Sequence, residues 1–377
     1  MKLEKMKASQ SEYISYTQLF LLIFFFEIGS AVVVGVGNEA KQDAWIAVFL
    51  ASLIGVALMF VYVKILALSS QSCLYSGLSS LLGSKISKCI TFLYVVYFIY
   101  IAARVLRDFI ELVNTAIYPQ TSGEIIGILF ILTVMYYLYH GLEVSARSLI
   151  VFMPYIVTFL FLIVLFLWMN GSIDINKIRP ILADGSQPIV TAIYPELMTF
   201  PFGETVAFLC LSTYVQQKEQ LFKICAASII VSGMVLSFFT IIKLAVLGVD
   251  RSSIASFPLL SAVRSISIAN FLERLDALVV FVILVGIFIK VLIFALAALK
   301  GMEVISSIPY RFFILPFGGI LSVLIIIIAD NYAEHIQEGL QFVPYYIHLP
   351  LQYGIPIFLW IGLWAKQKLG GKRSEAG

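Results

Sequence analysis

The chain is short of charge. Asp, Glu, Lys and Arg make up 12% of its 377 residues, about half the share usual in a soluble domain. Apolar residues account for 61%, more than a water-soluble surface could hide, so the bilayer is the expected solvent. The net charge is only +3, and no basic cluster lies among interleaved aromatics, so no nucleic-acid partner is expected. The four cysteines, Cys73, Cys89, Cys210 and Cys225, form no CxxC pair and read as packed or lipid-facing free thiols. His140, His335 and His348 fall at no metal-ligand spacing, and GxSxG, P-loop and dinucleotide motifs are all missing. No enzyme activity, metal or cofactor is therefore expected.

What the chain has in abundance is long apolar runs. A helix needs about 20 apolar residues to cross a bilayer. Ten segments qualify, at about 17–37, 44–65, 89–113, 124–140, 148–169, 189–212, 224–247, 273–299, 312–329 and 341–365. The segments at 124–140 and 312–329 are the shortest. Residues 1–16 are basic and polar, and the run after them is longer than a signal-peptide core, so it reads as a retained first span. With the N-terminus in the cytoplasm, fifteen of the 25 Lys and Arg fall on the cytoplasmic side, six outside and four within spans. That bias fits ten spans with both termini cytoplasmic, including the basic tail at 366–377. In the 66–88 connection, Leu74, Leu78, Leu81 and Leu82 recur at helical spacing and predict a short interfacial helix.

The polar stretch at 170–188 divides the chain into halves of five spans, 17–169 and 189–365. Halves with an odd number of spans share a fold only if they insert with opposite orientation. The expected architecture is thus an all-α integral membrane protein with ten transmembrane helices. It is a 5+5 inverted repeat with discontinuous first and sixth helices. The first span carries Gly29, Ser30 and Ala31 near its middle, and the sixth carries Thr199, Phe200, Pro201, Phe202 and Gly203. Pro201 has no N–H for the carbonyl of Leu197, and Gly203 permits backbone angles closed to other residues. Freed backbone groups are tolerated at membrane depth only inside protein or along a wet cavity. The breaks therefore predict either a polar pocket suited to a zwitterion, or a proline kink satisfied by its neighbours.

Charges inside spans are expensive and face the bundle interior. Glu204, just after the second break, either lines or gates a pocket or holds the unwound segment, or else is a buried structural acceptor for backbone donors or a neutral acid. Glu27 is either a pocket carboxylate or the partner of a base on another helix. Lys290 either snorkels to the cytoplasmic edge or pairs with Glu204 or Glu27. Arg104, Arg107, Asp108 and Glu111 form a stripe on the third span, read as an internal ion-pair network or an outer vestibule. Asp276 is its expected mirror on the eighth span.

Several pieces, in order, resemble the B subunit of bacterial spore germinant receptors, the endospore germination permease family of the amino acid–polyamine–organocation superfamily. They are YTQLFLLIFFFEIGS (16–30), DAWIA (43–47), GLEVSARS (141–148), MPY (153–155), INKIRPILADGSQPI (175–189), FPFGE (200–204) and FLERLDAL (271–278). The resemblance implies a ligand site among the first, third, sixth and eighth helices. By position that site falls on Gly29, Ser30 and Ala31, on Tyr97, Tyr100 and Ile101, and on Phe200 to Glu204. It also implies a small-molecule germinant, and as partners a receptor A subunit and a lipoprotein C subunit in the spore inner membrane, surrounded by membrane lipid. Where the family often has a Gly-x-Gly pattern and a later proline in the first span, this chain has Gly29-Ser30-Ala31 and VVVGVGNEA without proline. The alternative reading is an ion-coupled amino acid secondary transporter, with Glu27, Glu204 and Lys290 in gating or coupling roles.

Overall fold

The computed structural model describes residues 12–69, 73–216, 218–265 and 275–374. Lys2, Lys5, Lys7 and Arg274, and part of the 271–278 motif, lie outside the described residues. The described chain is almost wholly helical. Helix α1 (Tyr16–Ile28) is opened by a capping box, in which Ser15 and Gln18 exchange side-chain and backbone hydrogen bonds. A short α2 (Ala31–Val34) follows a turn at Gly29 and Ser30. Then come α3 (Ala44–Leu68), α4 (Leu74–Ala116), α5 (Gly123–His140), α6 (Leu142–Met169) and α7 (Gln187–Ala192). The second half continues with α8 (Leu221–Ile254), α9 (Pro258–Arg264), α10 (Asp276–Ser306), α11 (Ile314–Ile327), α12 (Tyr332–Gln337) and α13 (Ile355–Ser374).

Among the described residues, eight helices are long and apolar enough to cross a membrane. The first and sixth expected segments are not among them, because each is interrupted. Chain breaks at membrane depth must be enclosed by protein, and the second break is flanked by both α3 and α10. Helix α10 also packs along α4 and against α1, and nearly all of its residues from Val279 to Leu299 are buried. By contrast α6 sits at the periphery, with Val151, Tyr155, Phe161 and Trp168 exposed to the lipid.

Two expectations need correction. The predicted interfacial helix is the first part of α4, bent at Gly83 where φ is 77°. Leu74 and Leu78 are buried in the bundle, so this segment rests on protein rather than on lipid. The tenth segment is not one regular helix. Between α12 and α13 the chain makes wide π turns over Glu338–Phe342 and Pro344–Gly354, where Pro344 and Pro350 withhold N–H groups. Asp276 lies 3.8 Å from Arg264 of α9.

The turn after α1 and the middle of α10 touch through backbone. A Cβ on Gly286 would lie 2.8 Å from the Cα of Gly29. We predict that Gly286→Leu lowers the melting temperature and yield of the detergent-solubilised protein, at a cost of about 1–3 kcal/mol. Gly319→Ala, where an added Cβ meets nothing within 4 Å, should leave both unchanged. Equal melting of the two variants would contradict the close approach.

Candidate functional site

The first break is wider than its sequence predicts. After α2 the backbone takes left-handed angles at Gly35 and Gly37, with φ 70° and 77°. Without a proline, these two glycines end the helix. The second break is also longer than its proline. A π turn spans Ile193–Leu197, and the chain beyond Pro201 runs as a nine-residue 3-10 helix, Phe202–Cys210. Such a run is long for this poorer hydrogen-bond geometry. Gly203 is needed for space rather than for unusual angles: its φ is not positive, and a side chain there would strike Gln352.

The protein caps many of the carbonyls at the second break. The Thr199 hydroxyl donates to the carbonyls of Pro195 and Glu196 at 2.8 and 3.0 Å. Tyr353 donates to Met198 at 2.8 Å, and Thr205 to Phe202 at 2.8 Å. Tyr62 donates to Gln352 at 2.7 Å and reaches Gly203 at 3.4 Å. Five buried side-chain groups nearby have no hydrogen-bond partner in the protein: both oxygens of Glu27, Ser30 Oγ, Glu204 Oε2, Lys290 Nζ and Gln352 Oε1.

Lys290 does not snorkel. It is fully buried, its stem lies along Gly29, and its ammonium is 2.5 Å from Glu204 Oε2. The contact is ionic but lacks the angles of a hydrogen bond. The ammonium also sits 4.5 Å from the ring centre of Phe200 and 5.3 Å from that of Phe26, and both aromatic faces favour a cation. Glu27 pairs with no base, although it is within electrostatic reach of Lys290 and Glu204.

A cavity of about 50 Å³ reaches Phe200 and Glu204 from the face opposite the N-terminus. Ile101, Arg104, Asp108 and His348 also line it. Beside it the charged stripe of α4 pairs with α12 and the turn that follows α12. Arg104 binds Glu338 at 2.8 Å and Tyr100 at 3.1 Å, and also donates to the carbonyl of His335. Asp108 binds His335 at 3.0 Å. Arg107 instead donates to the carbonyl of Ile325, 3.1 Å away. On the N-terminal face, Glu12 ties Arg311 at 2.9 Å to the backbone N–H of Leu142 at 3.0 Å. A larger cavity of about 520 Å³, among α4, α5, α6 and α10, has an almost wholly apolar lining and lacks this chemistry.

Of the expected site residues, Ile101, Phe200, Glu204 and Lys290 come together, with Glu27 nearby. Gly29 serves the contact with α10, while Ser30 and Ala31 are buried beside it. Pro201 is buried, and Phe202 packs into a notch at Gly55. Tyr100 is bonded to Arg104. Tyr97 joins a network that sequence reading missed: its hydroxyl is 2.8 Å from His348 Nδ1 and accepts from Gln352 at 2.9 Å. Polar His348 and Gln352 between Pro344 and Gly354 were the available signal. Glu196, which accepts the Gly37 N–H at 3.1 Å and stands near buried Lys243, was missed as well.

Residues 13–333 match the family described as spore germination protein. The chain belongs to that family. Similar members include spore germination protein KB of Bacillus subtilis (strain 168), 34% identical over 96% of this chain and 98% of that protein. Spore germination protein YndE of the same strain is 22% identical over 83% of this chain and 88% of its own length. In fold, this germination protein is similar to the crystal structure of MhsT in complex with L-phenylalanine, with a TM-score of 0.65 and 12% identity over 92% of this chain and 89% of that one.

Removing one member of a buried ion pair strands the other, at a cost of about 3–5 kcal/mol. We predict that Lys290→Met sharply lowers thermal stability. Lys290→Met combined with Glu204→Gln should recover much of the loss. A double variant no more stable than the single one would show that the pair does not hold the break.

Proposed function

We propose that this germination protein is the nutrient-sensing membrane subunit of a spore germination receptor. It would bind a small molecule, an amino acid in our reading, at mid-membrane between the two breaks. The observation that carries this reading is the buried Lys290–Glu204 contact beside the unpaired Glu27, Ser30 and Gln352, with Glu204 reaching a small cavity. Groups of this kind are costly in an apolar interior unless something polar meets them. The fold precedent is MhsT, whose structure was solved with L-phenylalanine. The site proposed is Ile101, Phe200, Glu204 and Lys290, with Tyr97, Gly29, Ser30 and Ala31 around it and Glu27 in reserve.

Binding would shift the broken helices between two arrangements, and partner subunits would read that shift. We assign the A subunit and the lipoprotein C subunit as those partners, and the spore inner membrane as the location, with both termini cytoplasmic on the Lys and Arg bias. The role is recognition rather than catalysis. The fold also suits a second reading, an ion-coupled amino acid transporter. Uptake into reconstituted vesicles against a gradient would favour that reading.

The cavity is small, so filling it should block the response. Spores carrying Ile101→Trp in their sole receptor should need at least about tenfold more nutrient to germinate, with normal amounts of the subunit in the membrane. An unchanged dose response across a nutrient panel would overturn the assignment of this cavity.

A further inference from the structure

The core holds one lysine between two carboxylates that differ in their state. Glu204 is in ionic contact with Lys290 at 2.5 Å. Glu27, on the other broken helix, is fully buried and has no partner on either oxygen. The Lys290 ammonium lies over the ring of Phe200 at 4.5 Å. The same two residues, Phe200 and Glu204, form the inner end of the cavity. A carboxylate beside an aromatic face is a recognition site for a primary ammonium group. In this structure the ammonium held there belongs to the protein itself.

We propose that Glu204 and Phe200 form an ammonium subsite that Lys290 fills at rest, and that an incoming amine takes this place and sends the Lys290 ammonium to Glu27. The proposal rests on the sensing role given above and adds to it a ligand class and a moving part. The geometry accounts for features otherwise unexplained. The Lys290 stem lies against Gly29, where any larger residue would crowd it. The receiving carboxylate sits on α1 and the releasing one follows the second break. Moving the ion pair would therefore transfer an electrostatic tie from the sixth segment to the first. A ligand with no such preference between the two arrangements could not shift them.

Butylammonium, the side-chain analogue of lysine, is the probe. Its binding is measured on the full-length protein in lipid nanodiscs. Lys290→Ala should bind it saturably, and Lys290→Ala with Glu204→Gln should bind it at least about tenfold more weakly. If Lys290→Ala does not fold, Lys290→Ala with Glu27→Gln, which leaves one carboxylate for the probe, takes its place. In the unaltered protein, binding should be weaker than in Lys290→Ala and should fall a further tenfold or so in Glu27→Gln, because the displaced lysine loses its destination. In the Lys290→Ala background the Glu27 change should have little effect. A folded lysine-free variant that ignores butylammonium overturns the subsite, and a Glu27→Gln protein that binds like the unaltered one overturns the transfer. Butylammonium binding as expected, in spores whose germination is indifferent to every nutrient through this receptor, would overturn the sensing role and leave the subsite standing.

Discussion

The buried contact between Lys290 and Glu204 is the interaction on which the rest of the arrangement depends. A lysine and a glutamate at the centre of an apolar bundle each lose several kcal/mol of hydration. They are tolerable there only together. Their pairing draws α10 to the broken sixth segment, and the lysine stem lies against the turn that ends α1. Three elements that would otherwise have only weak packing preferences in lipid are thereby held at one point. Small residues complete the approach, because Gly29 and Gly286 allow the two backbones to meet.

From that point the outer parts follow. The breaks free backbone groups, and hydroxyls of Thr199, Thr205, Tyr62 and Tyr353 meet several of them. What the protein leaves unpaired is a set of side chains rather than a ring of carbonyls. Arg104 pairs with Glu338 at one face, and Glu12 with Arg311 at the other. These rim pairs are partly exposed and individually weak. The central pair is fully enclosed, which suits a contact that sets which arrangement is stable.

The sequence reading reached the architecture because apolar length and the two mid-membrane interruptions are local signals. It placed the irregularities at Gly29 and Pro201, and family membership agrees with the motifs it used. It fell short wherever the answer depended on which face of a helix meets which neighbour. For Lys290 it left open a reach to the cytoplasmic edge or a pairing with Glu204 or Glu27, and only the packing against Gly29 and Phe200 decides for the pairing. Phe202 looked like part of the pocket but fills a notch at Gly55. Gly203 was expected to supply backbone freedom and instead makes room for Gln352. His348, Gln352 and Glu338 lie far along the chain from the residues they meet on α4, so no local pattern could pair them.

Structures of the intact receptor with and without a nutrient that triggers germination would test the central claim most directly. The account predicts that the nutrient lies against Ile101, Phe200 and Glu204, with the Lys290 ammonium moved from Glu204 to Glu27. A nutrient bound elsewhere, or Lys290 still on Glu204 beside a bound nutrient, would contradict it.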